Sequence, residues 1–158
     1  MASTANTIKT RIQTILNGLV ASGTPTSAQL GAVIMDDFKK SIFGRDIPAY
    51  PVAILTTPSI DSKAETNVQN TRTYAFEILV LLRAEDVDDP AQVEDLIEAI
   101  LNQFDNDPTL KAGESTGISD AGVEPSTSAP EAITNGDTSY IAFTIALRAK
   151  AVRDLTFT

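Results

Sequence analysis

Ile8, Ile12, Ile15, Leu16, Leu19 and Val20 recur at intervals that place them on one side of a helix, with Lys9, Thr10, Arg11, Gln13 and Thr14 between them. That stripe predicts an amphipathic helix from about Asn6 to Ser22. Thr4, Asn6 or Thr7 can cap its start, Gly23 suits the C′ position, and Pro25 prevents continuation. Gly18 weakens such a helix by up to ~1 kcal/mol relative to Ala. It either admits a close backbone or is merely tolerated.

The pattern then changes period. From Leu30 to Phe43 two readings compete: a short strand through Val33, Met35 and Phe38 with Lys39 and Lys40 on an exposed edge, or a short helix. Arg45 to Pro51 reads as an extended connector, because a residue before proline is pushed out of the α region. A strand is expected at Val52–Thr57, ended by Pro58. Ser59–Thr71 is polar and forms either a loop or the exposed tip of a long hairpin. Arg72–Arg83 is the strongest strand. Tyr74, Phe76, Ile78, Val80 and Leu82 line one face, and the other face becomes apolar only at Leu79 and Leu81.

Asp89 followed by Pro90 is a good N-cap and N1 pair. It opens a second amphipathic helix, Pro90–Phe104, with Val93, Leu96, Ile97, Ile100, Leu101 and Phe104 on its apolar side. Asp105-Asn-Asp-Pro108 stops it. The segment 111–138 is rich in small and turn-forming residues: a short strand is expected at Ile118–Val123, a loop at Pro125–Pro130, and a hairpin turn at Thr134–Asp137. The closing strand, Ser139–Ala151, turns Ile141, Phe143, Ile145 and Leu147 inwards and Tyr140, Ala142, Thr144, Ala146 and Arg148 outwards. The whole reads as one α+β domain over residues 1–158: a mixed or antiparallel sheet with both amphipathic helices packed on one face.

Composition narrows the chemistry. The chain of 158 residues has no Cys, no His and no Trp. Disulfides, thiolate nucleophiles and Cys-based zinc sites are excluded, and the commonest general base and imidazole ligand are missing. Carboxylate catalysis and an all-oxygen cation site stay open. A net charge of -9 repels phosphates, so a sequence reader of nucleic acid is not expected. Met1–Thr7 has neither the basic nor the apolar region of a signal peptide, and no apolar run reaches the ~20 residues of a membrane helix.

No candidate site is convincing on its own. Glu85-Asp-Val-Asp-Asp89 lacks the EF-hand ligand pattern and is expected to be a capped, solvated turn. Asp105 and Asp107 are expected to stop a helix rather than act as a carboxylate pair. There is no nucleophile elbow and no Gly-rich phosphate loop. Tyr140 and the Tyr74/Phe76 strand lack the basic surround of a nucleic-acid stacking platform. No enzyme, metal or cofactor is expected.

The order of elements resembles the tail terminator, or tail-completion, proteins of long-tailed bacteriophages. The resemblance rests on the N-terminal amphipathic helix, on Tyr50-Pro51-Val-Ala-Ile-Leu55 opening a strand, and on Arg72-Thr-Tyr-Ala-Phe-Glu-Ile-Leu-Val80 as the next. The helix Val93–Phe104 follows, then Asp107-Pro-Thr-Leu-Lys-Ala-Gly113, and a closing strand introduced by Gly136-Asp-Thr-Ser-Tyr140. It covers nearly the whole chain; Leu30–Arg45 departs from it. It implies a homohexameric ring on the head-proximal end of the tail tube, which ends tube polymerisation and joins the tail to the neck. The partners implied are further copies, the tail tube protein and the head–tail connector proteins. DNA passes through without specific binding, no membrane is involved, and the ring belongs to the virion after assembly in the host cytoplasm.

Ring contacts are expected on the long polar segments Ser59–Thr71 and Gly113–Asp137. Lys63, Glu65 and Arg72 are the charged residues expected to meet a neighbour or the tube. Two alternatives remain: another phage head-closure, connector or tail-tube subunit, and a small acidic ligand-binding domain or enzyme. Electron microscopy separates a ring from an endless tube, and a monomer with a deep carboxylate-lined pocket would favour the last.

Overall fold

The computed structural model describes residues 4–36, 47–64, 69–111 and 123–154. The chain runs through α1 (Thr4–Asn17), β1 (Ala32–Asp36), β2 (Val52–Thr56), β3 (Ser59–Ala64) and β4 (Gln69–Arg83). A 3₁₀ turn, Ala84–Asp86, leads to α2 (Pro90–Asp105), and β5 (Val123–Thr127), β6 (Glu131–Asn135) and β7 (Thr138–Asp154) follow. This is the expected α+β class: two α-helices and one mixed sheet among the described residues.

β4 and β7 form the centre of the sheet. They pair antiparallel without a break from Gln69↔Asp154 to Arg83↔Tyr140. On the outer side of β4 lie β2 and β3 end to end; on the outer side of β7 lie β5 and β6 end to end. Both outer edges slip by one residue at the join. Leu55 pairs with Ile78 and Ser59 with Ala75, so four steps on the outer strand match three on β4. Thr127 pairs with Ile145 and Glu131 with Ala142, the same mismatch against β7. Such one-residue offsets are bulges that bend and twist the edge. β1 adds the outermost strand beside β2, and it is parallel.

Alternation along the strands creates two faces. Ala53, Leu55, Tyr74, Phe76, Ile78, Val80, Leu82, Phe143, Ile145, Leu147 and Ala149 share one face. Both helices cover it with Ile8, Ile12, Ile15 and Leu16 of α1 and Val93, Leu96, Ile100 and Phe104 of α2. Each of these large side chains contributes about 1.5–3 kcal/mol by leaving water. The opposite face has a smaller cluster, Val52, Ile54 and Leu81, packed with half-buried residues that include Ile34, Ile47, Tyr50, Leu79, Ile133 and Tyr140. Neither helix packs there.

Several local expectations are corrected. α1 ends at Asn17, not Ser22, and Gly18 closes it by donating to the Thr14 and Ile15 carbonyls at 3.2 Å. The chain then leaves the helix: the Leu19 carbonyl accepts from the Leu30 N–H and the Ala21 N–H donates to the Leu30 carbonyl, both at 2.9 Å, which sets Val20 beside Leu30, so Gly23 caps nothing in α1. Asn6 and Thr7 lie inside the helix, where the Asn6 carbonyl accepts from Thr10 Oγ1 at 2.9 Å. Leu30–Phe43 resolves in part into strand β1; Phe38, Lys39 and Lys40 lie outside the described residues, as does Ile118–Gly122. The first half of the expected loop Pro125–Pro130 is strand, because Pro125 sits on an edge, where the missing N–H breaks no ladder, and residues 128–130 join β5 to β6. α2 matches its expectation: the Asp89 side chain accepts from the Ala91 N–H at 3.0 Å, with Pro90 at the first turn.

Candidate functional site

The β3–β4 hairpin forms an arm. Beyond the buried Tyr74 its side chains are polar: Asp61, Ser62 and Lys63 on β3 are exposed, facing Thr73, Arg72 and Thr71 on β4. Ile60, opposite Tyr74, is 53% exposed and is the exposed large apolar side chain among the described residues. The bulge between β2 and β3 sets this up. It keeps Leu55 on the helix face beside Ile78, then returns Ile60 to that same face beyond the reach of full burial.

The three expected contact residues do not form one patch. Lys63 pairs with Thr71, and Arg72 is the next residue along β4, so their side chains leave opposite faces. Arg72 is half-buried between Ser62 and Ala151, while Lys63 is exposed. Glu65 lies outside the described residues. Of the second expected contact segment, Gly113–Gly122 also lies outside them, and the remainder is not a loop but strands β5 and β6 with their turn to β7. That turn has Gly136 at φ +63°, the position that needs glycine in a two-residue hairpin loop.

A group the sequence reading missed lies on the helix-free face. The Tyr50 and Tyr140 rings are 5.9 Å apart at 34°, and the Arg83 guanidinium sits 4.6 Å over the Tyr50 ring. Pairing of Arg83 with Tyr140 brings the first two side chains together, and the connector before β2 supplies Tyr50. Burial raises the Tyr50 pKa above its ordinary value, helped by the hydrogen bond to Tyr140 and that ring's own charge, while Arg83 opposes the rise. Tyr and Arg are the side chains that most often anchor protein contacts. Each was visible in the sequence, but their meeting depends on strand register.

The acidic segment is a turn. Ala84–Asp86 is 3₁₀, Glu85 sits 3.6 Å from Arg83 with both exposed to water, and Asp89 caps α2. Asp107 ends the next connection: its carboxylate accepts from the Lys111 N–H, and its carbonyl from Leu110. Leu110 is buried with φ +56°, and its carbonyl accepts from Arg11 at 3.0 Å, tying α1 to the chain after α2. Among the described residues no three carboxylates converge as a metal site, and no helix is long and apolar enough to cross a membrane.

No protein-family model matches the chain, and no curated protein matches it in sequence.

Proposed function

We propose that this chain is a tail terminator subunit of a long-tailed bacteriophage, a structural protein whose copies close into a hexameric ring on the head-proximal end of the tail tube, stop its growth and join the tail to the neck. The observation that carries the reading is the β3–β4 arm, polar on both faces and carrying an exposed Ile60 on a rigid sheet. An arm of this kind adds little to the core, so its length is better explained by contacts outside the subunit. The element order behind the resemblance is also the order observed: helix, two principal strands, helix, closing strand. A subunit with net charge -9 suits a channel that must let DNA slide without holding its phosphates.

Mixing the purified protein with tail tubes tests this. Electron microscopy should show one ring at one end of each tube, and tubes so treated should stop elongating. Tubes that bind nothing and keep growing would refute the proposal. Indefinite polymers of the protein alone would make it a tube subunit instead.

A further inference from the structure

β3 lies on the outer side of β4, and no other described strand pairs with it. Its second edge therefore presents backbone N–H and C=O groups that join no ladder among the described residues. Such an edge is a template on which a further strand can add. β3 has no proline to block that addition.

The residues of β3, Ser59-Ile-Asp-Ser-Lys-Ala64, are self-complementary in charge. Asp61 and Lys63 stand on either side of Ser62 and, being two apart, on one face; all three are exposed. The strand holds no other charge, and the β4 residues opposite these two, Thr73 and Thr71, are neutral. A second β3 laid antiparallel with Ser62 facing Ser62 puts Asp61 of each strand opposite Lys63 of the other. Centring the pair on Asp61 or on Lys63 puts like charges face to face, and so does parallel pairing in register. Opposite charges directly across a strand pair stabilise it, and like charges destabilise it. On the other face the same register brings Ile60, 53% exposed in the single chain, onto the added strand.

We infer that the open edge of β3 docks the β3 strand of a second copy, antiparallel and centred on Ser62, so that the two sheets continue as one. Both copies use the same patch, so the contact is isologous and closes at two chains. It goes beyond the terminator reading and does not rest on it, since a head-to-tail ring uses other surfaces. A pair joined in this way has both β3 edges occupied and must part before either edge meets a different partner.

Engineered single cysteines test it, because the chain has none of its own. Ser62→Cys falls on the two-fold axis, where directly opposed Cβ atoms stand about 4.5–5.5 Å apart. Mild oxidation should link it into a covalent dimer of the 16.8 kDa chain. Ser59→Cys is also exposed. It lies ~20 Å from its counterpart in this register and should stay monomeric under the same conditions. Adding Asp61→Lys to the Ser62→Cys chain puts Lys opposite Lys and should abolish the dimer. Adding Lys63→Asp as well exchanges the two signs and should restore it. Each variant should keep the wild-type melting transition, because residues 59–63 are exposed. A Ser62→Cys chain that stays monomeric, a Ser59→Cys chain that cross-links as readily, or a dimer indifferent to the charges would each overturn the contact. The cross-link is read on the free protein, so a dimer that follows the charges keeps this contact even where the protein caps no tube.

Discussion

Gly31 lies directly against the backbone of Tyr50: a Cβ at Gly31 would stand 2.7 Å from the Tyr50 carbonyl oxygen and 3.0 Å from the Ala49 Cβ. The Gly31 N–H donates to the Pro51 carbonyl at 2.7 Å, so the start of β1 and the entry to β2 are held in contact. Gly31→Ala should push the connector away and cost about 1–3 kcal/mol, the usual penalty for overpacking. A urea midpoint equal to wild type would show that the connector yields freely.

Ile97 and Ile100 separate two degrees of burial on one helix. Ile100 is fully buried, whereas Ile97 packs only against the margin of the core. Ile100→Ala should cost ~2–5 kcal/mol, and Phe143→Ala ~3–5 kcal/mol. Ile97→Ala should cost clearly less than Ile100→Ala. Equal losses in chemical denaturation would contradict the burial difference.

Asp89 caps α2 through its side chain. Asp89→Ala should lower stability by ~0.5–2 kcal/mol, and Asp89→Asn should recover most of it, since an amide oxygen accepts the same bond. Thermal melts of the two variants side by side check this; an Asn variant no better than Ala would point to the charge instead of the cap.

Tyr50 should ionise above the usual tyrosine value near 10, because burial and Tyr140 favour its neutral form. The folded state then holds this proton more tightly than the unfolded chain. Its contribution is complete below the unfolded pKa and is lost as pH rises towards and through the folded one. Ultraviolet titration of Tyr140→Phe should show Tyr50 ionising at lower pH than in wild type. No change would mean that the Tyr140 hydroxyl does not influence it.

The arm can be shortened with little loss of core if the cut falls beyond Tyr74, where the core residue left without its strand partner is Ala151, paired with Arg72. Replacing residues 62–72 by a two-residue turn that joins the Asp61–Thr73 pair removes Lys63, Glu65 and Arg72 together. The variant should fold with a wild-type circular dichroism spectrum and fail to stop tail growth. Normal termination by this variant would remove the arm from the proposed mechanism.

Both helices, the two long strands and the side chains that face the helices were legible in the sequence. Period and capping are local: Asp89-Pro90 opens α2 whatever lies around it, and the alternation from Tyr74 to Leu82 needs only one buried face. Termini that depend on a partner were not legible. α1 stops at Gly18 because Leu19 and Val20 are drawn to Leu30, and β5 takes in Pro125 because β7 offers an edge that tolerates it. The candidate sites divide in the same way. Lys63 and Arg72 could be chosen as exposed charges in a polar segment, but only the hairpin register sends them to opposite faces. The Tyr50–Arg83–Tyr140 cluster joins residues far apart in the chain. Composition and periodicity carry no register, so these contacts came into being only when β4 and β7 aligned and set their neighbours in place.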